Sequence, residues 1–168
     1  KIGNHGVFLH GSFLKIEMEP DFFDCAISLH TIYHIDKNQQ EEAVRKLVDV
    51  TKPGKPVIIV YSNPNTFYSS LLRRVRNTLS KIARAGKPVD ESNLYFFAHP
   101  IEWWGRFGDV ADVKILPWRS FGSGAQKKLI PNNGIGRKLL ALLFKLEHCF
   151  PGFFVNHFQY PMIVLTKR

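Results

Sequence analysis

The order of apolar and polar positions divides the chain into a few clear elements. Val7, Phe8 and Leu9 form a short apolar run that reads as a first strand, and Asp24-Cys25-Ala26-Ile27-Ser28 reads as a second, buried one. The period then becomes helical, with Ala43, Val44, Leu47, Val48 and Thr51 on one stripe. Asn38 stands where a cap is needed, and Glu41 follows at capping-box spacing. Lys52-Pro53-Gly54 ends the helix, because proline disfavours helical geometry before it and glycine supplies the turn. The run PVIIVYS comes next, β-branched and continuous, as suits a strand covered on both faces. Strand, helix and strand with short connections make a right-handed crossover between parallel neighbours. Ligands of such sheets sit beyond the C-terminal strand ends. Here those ends are Ser28-Leu29-His30 and Tyr61-Ser62-Asn63.

Further along, Thr66 to Arg84 carries Tyr68, Leu71, Leu72, Val75, Leu79 and Ile82 at helical spacing, and Gly86-Lys87-Pro88 stops it. Pro100 opens a short helix that ends near Gly105 or Gly108. ADVKILPWRSF predicts a strand, and FGSGAQKKLIPNNGIG an exposed or mobile loop. Arg137 to Cys149 is a strongly apolar helix, and YPMIVLTKR closes as a last strand. There is no internal repeat and no low-complexity tract.

At 168 residues, with 45% hydrophobic and 22% charged residues, the chain is the size of one domain and can bury a core. No apolar run approaches the roughly 18 residues that would span a bilayer. Val7-Phe8-Leu9 is too short for the core of a signal peptide, and the initial Lys1 implies a start inside a longer gene product. Two cysteines make no disulfide framework, and Cys25 in its apolar run is expected to be a reduced, buried thiol. Together these predict an intracellular, cytoplasmic protein.

Charge changes the picture. Residues 1–65 hold seven Lys and Arg against eight Asp and Glu, whereas residues 66–168 hold sixteen against six. Two acid-free basic windows carry the excess. The first has Arg73, Arg74, Arg76, Lys81, Arg84 and Lys87; the second, between Val113 and Leu146, has seven cations. Such a field attracts phosphate-bearing substrates, nucleic acid or an acidic membrane surface, or else only solubilises. Basic and apolar stripes side by side fit a peripheral membrane contact. Nucleic acid fits less well, because the aromatics cluster at 95–107 and 150–160, away from the basic runs.

The segments HGSF (residues 10–13), FFDCAISLHTIYHI and TKPGKPVIIV, in this order, resemble the C-terminal two-thirds of a class I S-adenosylmethionine-dependent methyltransferase. The resemblance implies an α/β, Rossmann-like sheet in one partial domain spanning residues 1–168, mostly parallel, with a C-terminal antiparallel hairpin strand. The N-terminal strands and their glycine-rich loop would lie outside the chain. It also implies S-adenosyl-L-methionine as cofactor and a small-molecule or lipid-linked acceptor. Ser12 stands where the family commonly has an acid, and Lys55 where its turn has a second glycine. A non-catalytic module of the same fold, binding an anionic partner through its basic half, is the alternative. The sheet edge left by missing strands would invite pairing, hence a homodimer.

By the same resemblance, Gly11, Ser12 and Phe13 would meet the adenine, and Ser28, Leu29 and His30 would line the methionine side. His30 is the candidate base, since an imidazole titrates near neutrality and an acceptor hydroxyl must lose its proton. Its other reading is a partly buried histidine bonded to nearby backbone. Tyr33, Asn63, Trp103 and Trp104 are candidate acceptor contacts, with Asn63 otherwise a turn residue and at least one tryptophan a core anchor. His34 reads as structural. His30 and His34 share i, i+4 spacing but have no third ligand near them, so no metal is expected.

Overall fold

The structure is a computed structural model that describes residues 6–66 and 95–168. The expected helix from Thr66 to Arg84, its stop signal and the first basic window lie outside the described residues, save Thr66 itself. Four strands make one sheet: β1 (Ala26–Leu29), β2 (Pro56–Val60), β3 (Ala111–Arg119) and β4 (Tyr160–Lys167), in the order β1-β2-β4-β3. β1 and β2 are parallel, with Ile27 opposite Ile58, and β4 runs antiparallel to both β2 and β3. The described sheet is therefore mixed: one parallel pair and two antiparallel pairs.

Helix α1 (Gln40–Asp49) crosses from β1 to β2 and buries Ala43, Val44 and Val48, with Leu47 packed beside them, as its stripe requires. Its start is not the expected one. Gln39 occupies the cap position without a side-chain bond, Asp36 accepts from the Asn38 amide, and Glu41 is drawn away to Arg45 (3.0 Å) and Arg106 (2.6 Å). A tertiary ion pair outcompeted the local capping box.

The C-terminal half holds a 3-10 segment (Ile101–Asp109), α2 (Ser123–Leu129), α3 (Gly134–Cys149) and α4 (Pro151–His157). α2 corrects the expected loop: its one exposed apolar residue, Leu129, gave too little periodicity to be read as a helix. Asn133 caps α3 by accepting from the Gly136 amide at 3.0 Å, which starts the helix earlier than expected. The body meets α3 along one seam, Gly136, Leu140, Leu143 and Glu147. At Gly136 a Cβ would overlap the Pro131 carbonyl oxygen. Gly136→Ala should therefore cost about 1–3 kcal/mol, seen as a lower urea midpoint, because backbone must move to admit one methyl.

Three further expectations fail at the N-terminal side. Val7-Phe8-Leu9 is not a strand; Val7 and Phe8 are almost fully exposed, with no described neighbour to pair with. β1 stands at the edge of the described sheet with Ile27 and Leu29 more than half exposed, so its apolar composition does not mark burial among the described residues. Cys25 at its start is exposed, as is Cys149.

Candidate functional site

Four chain segments end at one rim of the sheet. β1, β2 and β3 finish there, and β4 begins there, so His30, Tyr61–Asn63, Arg119–Phe121 and Tyr160 are brought together across more than a hundred residues of sequence. Pro117 and Pro161 face each other in the ladder, and the register is irregular between Pro117 and Arg119. Neither proline can donate a hydrogen bond, so the ladder bulges and re-aims the strand end. The bulge sets Arg119 opposite Tyr160.

His30 is the first residue beyond β1. Its amide continues the ladder to the Val60 carbonyl (3.1 Å), yet its φ of 58° is left-handed, a conformation a histidine adopts at some cost. The ring packs edge-on to Tyr160 (4.8 Å between centroids), and Nδ1 lies 2.9 Å from the Tyr33 hydroxyl. Burial, then Arg119 and then His34, hold the His30 pKa below the ordinary imidazole value. Burial, then Tyr160, push the Tyr33 phenol up. The rim thus presents a neutral imidazole bonded to a protonated phenol.

Beside this pair lies a cavity of about 800 Å³, lined among others by Ser62, Asn63, Phe96, Phe121, Gly122 and Tyr160. His30 and Tyr33 do not line it directly; Tyr160 covers the first, and Phe96, 5.1 Å from the Tyr33 ring, covers the second. At Gly122 in the wall, a Cβ would come within 2.6 Å of Gln159 Oε1, the far end of a side chain that can turn aside. A smaller cavity of about 290 Å³ on the other side of Ser120 reaches under α3. Glu147, buried, accepts a hydrogen bond from the Ser120 hydroxyl and pins α3 to the end of β3.

The expected site residues separate into groups. Ser28, Leu29, His30 and Tyr33 share the rim, although Leu29 turns to solvent. Gly11, Ser12 and Phe13 sit on a turn tied to α1, where Lys46 donates to the Leu14 and Ile16 carbonyls, and Phe13 packs against the core. No hydrogen bond joins them to Ser28–His30 among the described residues. Asn63 lines the cavity with its amide already used. Nδ2 donates to the carbonyls of Val155, Asn156 and Phe158 (3.1 Å each), and Oδ1 accepts from the Asn65 amide. It is a clamp holding α4 against the sheet.

Trp103 and Trp104 require a correction. Both are core residues and neither lines the cavity: Trp104 packs edge-on to Tyr61 and against Phe107, and Trp103 stacks on His99 at 4.3 Å. Their 3-10 segment presents them inward, which adjacent tryptophans in a sequence do not reveal. His34 is structural, with Nδ1 2.8 Å from the Tyr95 carbonyl. Sequence reasoning missed Tyr160, Ser120, Phe121 and Glu147. A Ser-Phe-Gly after a strand and a lone acid in an apolar helix were the available signals.

The methyltransferase domain family matches residues 1–59. No curated protein matches the chain in sequence. Among solved structures, a SAM-dependent methyltransferase of Thermotoga maritima is similar at 17% identity and a TM-score of 0.53, over 97% of this chain and 65% of that one. A SAM-dependent methyltransferase of Archaeoglobus fulgidus aligns at 17% identity and a TM-score of 0.45, over 89% of this chain and 62% of that one. The chain thus spans a little under two thirds of the length of these solved structures. The first 59 residues thus match a methyltransferase domain, and the chain shares the fold of a SAM-dependent methyltransferase.

Proposed function

We propose that the protein to which this chain belongs transfers a methyl group from S-adenosyl-L-methionine to a small-molecule or lipid-linked acceptor. The observation that carries this reading is the parallel pairing of β1 with β2, which delivers His30 and Tyr61–Asn63 to one rim beside a cavity large enough for a small organic molecule. Gly11, Ser12, Phe13, Ser28 and Leu29 are the residues that would hold the cofactor, which supplies an electrophilic methyl carbon. The Ser12 hydroxyl can accept one hydrogen bond from an adenine amino group. Methyl transfer is an in-line displacement, so the protein's share is holding and alignment.

His30 would take the proton that an acceptor hydroxyl loses. In the tautomer that carries its proton on Nδ1 and donates it to the Tyr33 oxygen, Nε2 keeps its lone pair for the acceptor's proton, and Tyr33 is the positioning residue. The depressed pKa keeps Nε2 unprotonated through neutrality. The rate should then fall as pH drops below about 6.5, the ordinary imidazole value, with an apparent pKa beneath it. Stability follows the same direction. The unfolded chain takes up this proton first, so the His30 contribution is lost as pH falls through 6.5 and then through the folded pKa.

Calorimetric titration of S-adenosylhomocysteine into the full-length protein tests the reading. Saturable binding is expected, together with an acid limb in the pH–rate profile that disappears in His30→Gln. A full-length, folded protein that ignores the nucleoside would sink the proposal.

A further inference from the structure

We infer that the surface formed by α3 and α4 docks on an anionic lipid bilayer, lying in the interface with its apolar stripe among the acyl chains. The inference does not depend on the methyl-transfer reading.

The observation is a helix with two apolar stripes where packing on the body needs one. At about 100° per residue, the buried seam of α3 (Gly136, Leu140, Leu143, Glu147) is one row. A second row, Ile135, Leu139, Leu142 and Leu146, lies about a quarter turn away and is 66, 43, 54 and 38% exposed. α4 leaves α3 at 104°, and Phe150 and Phe153 there are 59 and 55% exposed. Four large apolar side chains in one exposed row of α3, with two more just past its end, exceed what scattered exposure explains.

Charge identifies the occupant. Lys138 and Lys145 flank the second row on the side away from the body, and Lys127 and Lys128 are exposed on α2. Between residues 113 and 168 the only acidic side chain is Glu147, which is buried and bonded to Ser120. Among the described residues the surface is therefore apolar with an uncompensated cationic border, the pattern of a helix lying in an anionic lipid interface. A second copy of the chain fits poorly. Self-pairing would set lysine against lysine with no carboxylate between them. Spanning is also excluded for α3 alone. No single described helix is long and apolar enough to cross, and sixteen residues reach only about 24 Å against a hydrocarbon core of about 30 Å.

The two exposed cysteines provide a test within the protein itself. Cys149 sits at the α3–α4 corner, and Cys25 at the start of the edge strand β1. An environment-sensitive dye is attached to either one, with the other changed to serine, and phosphatidylcholine vesicles are added with or without phosphatidylglycerol. The dye on Cys149 should shift to the blue only with phosphatidylglycerol present, and the dye on Cys25 should not respond. Co-sedimentation of unlabelled protein with the same vesicles should weaken with salt, and by about fivefold for each of Lys138→Ala and Lys145→Ala. Leu142→Asp with Ile135→Asp should abolish it while the circular dichroism spectrum and melting temperature stay as in the parent, both sites being more than half exposed. Three results overturn the inference: no association with anionic vesicles, association unaffected by the two aspartates, or equal shifts from both dyes. Concentration-dependent dimerisation that the aspartates remove, without vesicle binding, would give the surface to a second copy and overturn it too.

Discussion

Replacing Trp104 by alanine is expected to cost about 3–5 kcal/mol of folding stability, the range for deleting a fully enclosed indole. Trp104 has no exposed surface and is edge-on to both Tyr61 (4.9 Å) and Trp103 (5.0 Å), with Phe107 tilted against it at 5.7 Å. These neighbours come from β2's extension and from the 3-10 segment itself, so collapse into the void would have to move both. Its Nε1 has no hydrogen-bond partner among the described residues. Trp104→Phe thus forfeits volume only, and should cost clearly less than the alanine change. Urea unfolding at constant m reads the difference. Equal losses for the two variants, or under 1 kcal/mol for alanine, would contradict the packing described.

The second large effect is polar. Gln40 is fully buried at the first turn of α1, and its amide joins three parts of the chain. Nε2 donates to the Ile35 carbonyl (3.0 Å) and the Phe97 carbonyl (2.8 Å), while Oε1 accepts from the Tyr61 hydroxyl (2.7 Å). Burial pushes the Tyr61 phenol up to about 12, against the opposing bond from the His99 amide, so it remains a donor at any physiological pH. Gln40→Leu keeps the volume and strands all three partners. Since each stranded group costs roughly 1–3 kcal/mol, a total of about 3 kcal/mol or more is expected. Tyr61→Phe removes one of those partners, so the double variant should lose less than the sum of the single changes. Additive losses would mean that the two side chains do not share a bond. Function would feel the change as well. Phe97 holds the strip that carries Phe96, a wall of the larger cavity.

The local pattern was enough to read where regular structure would form from α1 through β2, and again at β3 and β4. In each, a repeating apolar period coincides with a face that is buried, and turn residues mark the ends. The crossover between β1 and β2 was legible for the same reason, since short connections leave a helix few ways to return. With it came the position of His30 at a strand end. The cap of α1 was misread because Glu41 had two arginines to choose from, and Arg106 lies 65 residues away.

What the sequence by itself determined, then, is the set of elements and the parallel pair that carries the rim: periodicity, turn chemistry and short connections are local properties. Only the tertiary structure decided which apolar residues are covered. Ile27 and Leu142 have the composition of core residues and face outward, while Gln40 and Glu147 have the composition of surface residues and are enclosed. Burial depends on what stands opposite, and the partners of these residues come from distant parts of the chain. Tyr160 against His30, and Glu147 against Ser120, are pairings of that kind.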